Sequence, residues 1–392
     1  MKFPLFKKEN KIFLGLDIGT ATIKALIFKK EKEKNIILGA DLKEYYSLGI
    51  QEEKKAKAKA LKEALLEVIT QAERKAKVKK FNSLFFLRPP GNILKEKVIP
   101  HSFQRENPKE IISQKEESEI YQKIQKKAQE KVLEEISRQS GILSQDFHSL
   151  DFRILEKKID GYEVEQLAGV SGKDLNFKIL FTFLPKNYSK EINEIVKSLN
   201  LDNLRLVSTA ESLLSAFSGQ KITAIFLDIG GKLTQIALMR EGKLQGLNSF
   251  EMGGESFSER MSQALGVDKA QAEDLKIRYA KRILSEEVRR RVKELLSPAG
   301  QSWFNNLKLR LKEITIQTEK ILPSTIFLFG GGSQLPEIEE ILSQDAWEDL
   351  AFLQPPEIKF ILPKDLKNIE SRENIINTPQ YIPPLLLCYI NA

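Results

Sequence analysis

The chain has 392 residues, with Lys+Arg 62 against Asp+Glu 54 for a formal net charge of +8, and 41% of its residues are hydrophobic. That length predicts more than one compact unit, and the charge is spread over mixed-sign helical runs such as residues 54–80 and 123–138, not gathered with aromatics into a nucleic-acid-binding face. One cysteine, Cys388, excludes an intramolecular disulfide and a thiolate zinc cage, and His101 and His148 alone leave little material for a histidine metal site or a Ser-His-Asp relay.

The first strong signal is IFLGLDIGTATIKALIF, residues 12–28, where an apolar strand runs into Asp17-Ile18-Gly19-Thr20 and alternation resumes through Ile23, Ala25 and Ile27. This predicts a β-hairpin with a small-residue tip. Residues 54–77 place Leu61, Leu65, Val68, Ile69 and Ala72 on one helical stripe, residues 81–87 suit a strand, and Arg88-Pro89-Pro90-Gly91 reads as a boundary. Ser113 and Glu116 have capping-box spacing and open an amphipathic helix through Ile120, Ile124, Val132 and Ile136 to Gly141. Strands are predicted at 151–158 and 178–184, with the glycine-rich stretch 161–172 between them. A helix at 189–199, a strand at 204–207 and a helix at 209–217 follow.

The hairpin grammar then returns. In ITAIFLDIGGKLTQIALM, residues 222–239, a strand meets Asp228-Ile229-Gly230-Gly231 and alternation resumes through Leu233, Gln235 and Ala237. So wide a separation marks an internal duplication, not a short-period repeat. A strand pair ends at Met252-Gly253-Gly254, and helices are predicted over 256–265, 269–279 and much of 284–320. A last strand, 325–329, runs into Gly330-Gly331-Gly332-Ser333 ahead of a helix at 335–342. Strands alternating with helices make this an α/β protein.

A glycine turn behind a strand aims backbone N–H groups at an anion. Here there are three such turns, two preceded by an acid, Asp17 or Asp228. A carboxylate faces phosphates through a divalent cation or water, and magnesium, which takes few carboxylates and keeps several waters, suits that place. The third turn has no acid and suits the uncharged part of a nucleotide. A nucleotide held between two similar halves is the expectation.

These motifs, in this order, resemble the actin-like ATPase superfamily: LGLDIGTATIK as phosphate-1 hairpin, FLDIGGKLTQIAL as phosphate-2 hairpin, LFGGGSQLP as adenosine turn. Within it the chain is most similar to the FtsA and PilM families of bacterial division and type IV pilus machines. Residues 252–280 resemble the family stretch in which a Gly-Gly turn precedes a helix and an Ala-Glu-x-x-Lys helix, and residues 161–172 resemble the tip of the domain inserted in FtsA. The resemblance implies a two-lobed actin-like ATPase fold with an inserted α/β subdomain in the first lobe. Its parts would be a leader at 1–10, a first lobe at 11–80, 177–220 and 378–392, an insert at 81–176 and a second lobe at 221–377.

The resemblance also implies ATP and magnesium as cofactors. Asp17 and Asp228 would sit at the metal through water, and Gly19, Thr20, Lys24, Gly230, Gly231 and Lys232 at the phosphates. Gly254, Glu273 and Lys276 would meet the ribose and base, and Gly330, Gly331 and Gly332 the adenosine. Glu211, with Asp17 and Asp228, would form the catalytic set near the attacking water. Where relatives continue the second hairpin with glycine, two threonines and an acid, this chain reads Lys232-Leu233-Thr234-Gln235. Lys232 would add an ammonium beside the terminal phosphate and Gln235 removes a carboxylate, so at most a slow ATPase is expected.

The implied function is an ATP-binding assembly protein that self-associates and recruits a division complex to the inner face of the cell membrane. Its partner would be a tubulin-like division protein or the cytoplasmic tail of a membrane protein. The alternatives are a PilM-like pilus scaffold and a small-molecule kinase, for which no base is evident. Residues 378–392 are read as returning to the first lobe, with the apolar run 385–388 in its core. The apolar-basic residues 1–8 suit weak, salt-sensitive contact with anionic lipid, so membrane association is expected to be weak or partner-mediated.

Overall fold

Apolar runs long enough to be covered on both faces become the central strands. β1 (Ile12–Ile18), β2 (Thr22–Glu31) and β3 (Lys34–Glu44) form an antiparallel meander. One face, Leu14, Leu16, Ile18, Ile23, Ala25 and Ile27, packs under the predicted stripe of α1 (Lys54–Ala76). The opposite face, with Phe13, Leu26 and Phe28, belongs to a second core. The computed structural model describes residues 12–44, 54–78, 85–201, 203–318, 321–344, 347–352, 354–371 and 376–391. The expected leader and the first part of the strand expected at 81–87 lie outside them.

β4 (Phe85–Arg88) runs parallel to β1, and β9 (Leu204–Leu206) runs parallel to β4. Between these two neighbours the chain leaves the sheet to build an inserted α/β unit. β5 (Lys95–Gln104), α2 (Gln114–Ser140), β6 (Phe147–Ile159), β7 (Tyr162–Glu163) and β8 (Asp174–Pro185) give a separate sheet of order β5-β8-β6-β7. Ser113 caps α2 by accepting the Glu116 N–H, Gly141 ends it at φ 70°, and the stripe Ile120, Ile124, Ala128, Val132 and Ile136 is buried. These side chains pack with Phe177, Ile179 and Phe181 of β8. α3 (Lys186–Ser198) then returns Ile192, Ile195 and Val196 to the first lobe.

After α4 (Thr209–Ala216) the plan repeats. β10 (Ala224–Ile229), β11 (Thr234–Arg240) and β12 (Lys243–Phe250) form the second meander. α5 (Gly254–Leu265), α6 (Lys269–Ala280) and α7 (Glu286–Thr318) pack on it, with Trp303 and Phe304 at the centre of the contact. β13 (Thr325–Phe329) lies parallel to β10 as β4 does to β1; α8 (Pro336–Leu342) and β14 (Glu357–Phe360) complete the lobe. β15 (Ile369–Ser371) crosses back to pair with β3, and α9 (Ile382–Leu386) enters the first-lobe core. Leu385, Leu386, Leu387 and Cys388 are at most 1% exposed, so this run is core. Among the described residues no helix is long and apolar enough to cross a membrane.

Candidate functional site

Each meander ends a central strand with an aspartate at the lobe junction. Antiparallel register sets Asp17 opposite Lys24 and Asp228 opposite Gln235. The two hairpin tips touch: the Lys232 N–H donates to Thr20 Oγ1 at 2.9 Å. A Cβ at Gly231 would stand 2.7 Å from Thr20 Oγ1 and 2.8 Å from Ala21 Cβ, so the approach needs glycine. A cavity of about 340 Å³ opens beside this contact, within the size of small-ligand sites.

Asp17, Gly19, Thr20 and Lys24 line the cavity from the first lobe, and Asp228, Gly230 and Gly231 from the second. Its far end carries Gly254, Glu273 and Lys276 with Gly330, Gly331 and Gly332. Lys276 Nζ bonds Glu273 Oε2 at 2.6 Å, one turn away on α6, and the Gly254 carbonyl at 2.9 Å. Burial lowers the pKa of this ammonium, against the Glu273 carboxylate, which raises it. The Gly254 and Glu255 N–H groups bond the carbonyls of Gly230 and Gly231 at 2.9 and 2.8 Å, tying the start of α5 to the second hairpin.

One member of the site, Arg88, was not singled out from sequence, where it reads as part of a Pro-Pro-Gly boundary. It is 7% exposed and lies between the two acids, Asp17 at 4% and Asp228 at 6%. Its Nη1 meets Asp17 Oδ1 at 3.3 Å, and its Nη2 pairs with Asp228 Oδ2 and with Gln235 Oε1 at 3.2 Å. Nε donates to Thr209 Oγ1 at 3.3 Å. Lys24 Nζ holds the other Asp17 oxygen at 2.8 Å. Burial alone would raise the pKa of Asp17, but Lys24 and Arg88 together hold it below its ordinary value. Asp228 goes the other way: burial, helped by the negative Asp17, raises it against the pull of Arg88. Burial works against the Arg88 charge too, and the two aspartates overcome it, raising its pKa.

Residues 225–382 match the family model described as FtsA, Cell division protein FtsA. The cell division protein FtsA of Streptococcus pneumoniae serotype 2 is 24% identical over 85% of this chain and 73% of its own length. That of Enterococcus hirae is 26% identical over 86% and 76%. Among solved structures, the PilM-PilN type IV pilus biogenesis complex superposes with TM-score 0.69 at 16% identity, covering 96% of this chain and 97% of the other. The ethanolamine utilization protein EutJ from Carboxydothermus hydrogenoformans gives 0.50 at 13% identity, covering 98% and 91%. In sequence the chain is similar to cell division protein FtsA, in fold to the PilM-PilN complex, and its fold is that of the actin-like ATPases.

That fold implies nucleotide binding, and the cavity suits it. Three glycine turns surround one space, and a Cβ built at Gly331 meets nothing within 4 Å. Magnesium between Asp17 and Asp228 does not suit the donor set. Both Asp17 oxygens and Asp228 Oδ2 are already held by protein cations. Glu211 stands apart from the expected catalytic set. Ser208 caps α4 by accepting the Glu211 N–H at 3.0 Å, and the Glu211 carboxylate pairs with Arg205 at 2.7 Å and Arg153 at 3.5 Å, outside the cavity lining. The start of α4 turns Thr209 toward Arg88 and Gln235 instead, and the Ala210 N–H toward Glu96 at 2.9 Å. Lys232 joins the site through its backbone, while its Nζ lies 3.8 Å from Glu255.

Proposed function

We propose that this chain is an ATP-binding, actin-like assembly protein that self-associates and helps recruit a membrane-associated division complex at the inner face of the membrane, with hydrolysis slow at most. The observation that carries the reading is the register-matched pair of aspartate hairpins, one per lobe, whose tips meet beside a cavity that both line. A nucleotide seated there touches both lobes, so it favours whichever lobe arrangement gives it the better contacts. The inserted unit can follow that change, because Lys243 of β12 pairs with Glu163 of β7, and Lys178 of β8 donates to Gln245 of β12 at 2.5 Å. The phosphates would lie against the Gly19-Thr20 and Gly230-Gly231 turns beside Lys24, and the nucleoside toward Gly254, Glu273, Lys276 and the turn from Gly330 to Gly332. The weak hydrolysis follows from Glu211, which faces arginines outside the cavity, and from Gln235, an amide in place of an acid.

The test is titration calorimetry with ATP followed by sedimentation velocity with and without it. Binding with ATP-dependent association supports the reading, and absence of binding overturns it. A second reading, a cytoplasmic scaffold in a type IV pilus inner-membrane complex, draws support from the near-complete coverage of both chains in the likeness to the PilM-PilN complex. The partner separates the two: capture by a tubulin-like division protein favours the first, and by the cytoplasmic tail of a pilus membrane protein the second.

A further inference from the structure

We propose that Arg88 is the resident cation of the cleft: its guanidinium takes the place between Asp17 and Asp228 that a hydrated divalent metal would take, so this site holds nucleotide without one. The inference rests on the nucleotide-binding reading above and adds to it the source of the positive charge.

The waters around a magnesium ion offer hydrogen-bond donors to second-shell carboxylates. A guanidinium offers donors of the same polarity in a planar fork that matches carboxylates. Arg88 uses them in this way, reaching Asp17 through Nη1 and Asp228 through Nη2 across the lobe junction. Its remaining contacts are fitted to the same end. Thr209 receives Nε and Gln235 receives Nη2, and Thr209 Oγ1 in turn donates to Gln235 Oε1 at 3.1 Å. Gln235 is the residue at which the second hairpin departs from an acid. A carboxylate there would add a further negative group beside Asp17 and Asp228, whereas the amide adds none.

Strand packing does not require an arginine at this register. The equivalent neighbour of Asp228 in the second lobe is Phe329, an apolar side chain on β13. Burying a guanidinium is costly unless it is well paired, and the fold supplies partners from both lobes for all but one of its N–H groups. A dication placed between the same carboxylates would have to displace Arg88 and leave it buried beside a second positive charge. One Nη1 hydrogen has no partner among the described residues, and Arg88 lines the cavity, so a phosphate oxygen can take it.

The experiment titrates the full chain with a fluorescent ATP analogue in excess magnesium and in excess EDTA, for wild type, Arg88→Lys and Arg88→Gln. In parallel, manganese binding without nucleotide is read by electron paramagnetic resonance. Wild type should bind the analogue with affinities within about twofold in the two buffers. Arg88→Gln should lose about tenfold or more in EDTA and recover in magnesium, with Arg88→Lys between them. Manganese should bind Arg88→Gln, in which Asp17 Oδ1 and Asp228 Oδ2 are released, and not wild type. Circular dichroism checks that the variants are folded, and the wild-type arms decide the matter even if Arg88→Gln is not. A wild-type affinity that collapses in EDTA overturns the inference while leaving the nucleotide reading intact, as does stoichiometric manganese on wild type. No analogue binding in either buffer overturns the nucleotide reading and this inference with it.

Discussion

Arg88 and Phe329 hold the same register in the two lobes, each the parallel neighbour of its hairpin's aspartate, Asp17 or Asp228. The same duplication sets Lys24 against Gln235 on the antiparallel side. Both cations touching the acid pair therefore come from the first lobe, and the Arg88–Asp228 pair is an interlobe bond.

The two aspartates should differ in what their loss costs. Asp17 is held charged by two cations, whereas burial pushes Asp228 toward its neutral form. Asp17→Asn leaves Lys24 and Arg88 with one fewer acid and should cost about 3–5 kcal/mol, the range for breaking a buried pair. Asp228→Asn should cost less, about 1–3 kcal/mol. Urea unfolding of the two variants checks the order, and a larger loss for Asp228→Asn would contradict it.

The acid limb of stability should carry the Asp17 signature. Its folded pKa lies below the ordinary 3.8, so as pH falls the unfolded chain takes up this proton first. The stabilisation is fully present above that ordinary value and is lost as pH falls through the folded one. Below about pH 4 the difference in unfolding free energy between wild type and Asp17→Asn should therefore shrink. Thermal unfolding across pH 2–7, followed by circular dichroism, measures it; a gap that widens on acidification has the wrong sign.

Two neighbouring glycines should separate binding from folding. A Cβ at Gly331 meets nothing within 4 Å, whereas one at Gly332 would lie 2.7 Å from the Ile229 side chain and 3.0 Å from the Gly230 carbonyl. Gly331→Val should thus lower nucleotide affinity about tenfold and leave the melting temperature nearly unchanged. Gly332→Ala should lower the melting temperature by several degrees, the effect of roughly 1 kcal/mol or more of strain. A fluorescent-nucleotide titration and a melting curve on each variant test the contrast.

The two hairpins, the third glycine turn and the long helices were legible because each is written in local pattern: an apolar strand, an acid and glycine in the hairpins, an apolar strand and glycines in the turn, an apolar stripe in the helices. The strand at Thr325–Phe329 and the stripe on α2 follow the same logic. β5 was missed because its residues, KEKVIPHSFQ, are mostly polar and include Pro100. It lies at a sheet edge, where proline and charge are tolerated. β14 and β15 are also edge strands, of four and three residues, too short for a period to show. Arg88 was hidden for another reason. Its meaning comes from Asp228, Thr209 and Gln235, which only the closed sheets bring to it.

Glu211 should prove dispensable to the cleft. It is buried at 7% exposure, and its carboxylate pairs with partly exposed Arg205 and Arg153, away from the cavity lining. Glu211→Gln should therefore keep wild-type nucleotide affinity and phosphate-release rate, while losing about 1–3 kcal/mol of stability. A phosphate-release rate falling about a hundredfold, the scale of a lost acid-base group, would restore Glu211 to a catalytic role.

The link between the insert and the second lobe gives the last prediction. Lys243 and Glu163 are both about half exposed, at 45% and 49% of their side-chain surfaces, so their pairing adds little to stability. Its value would lie in coupling, since it ties the tip of the inserted sheet to the lobe that lines part of the interlobe cavity. Lys243→Glu sets two acids face to face there and should leave nucleotide affinity within about twofold while weakening ATP-dependent self-association. Adding Glu163→Lys restores an opposite-charge pair in reversed order and should recover the association. Sedimentation velocity of wild type, both single variants and the double variant, each with and without ATP, reads the cycle. The interaction should appear as non-additivity between the two substitutions. Strictly additive losses would mean that the two side chains act separately, and that lobe motion reaches the insert by another route, such as the Lys178–Gln245 hydrogen bond.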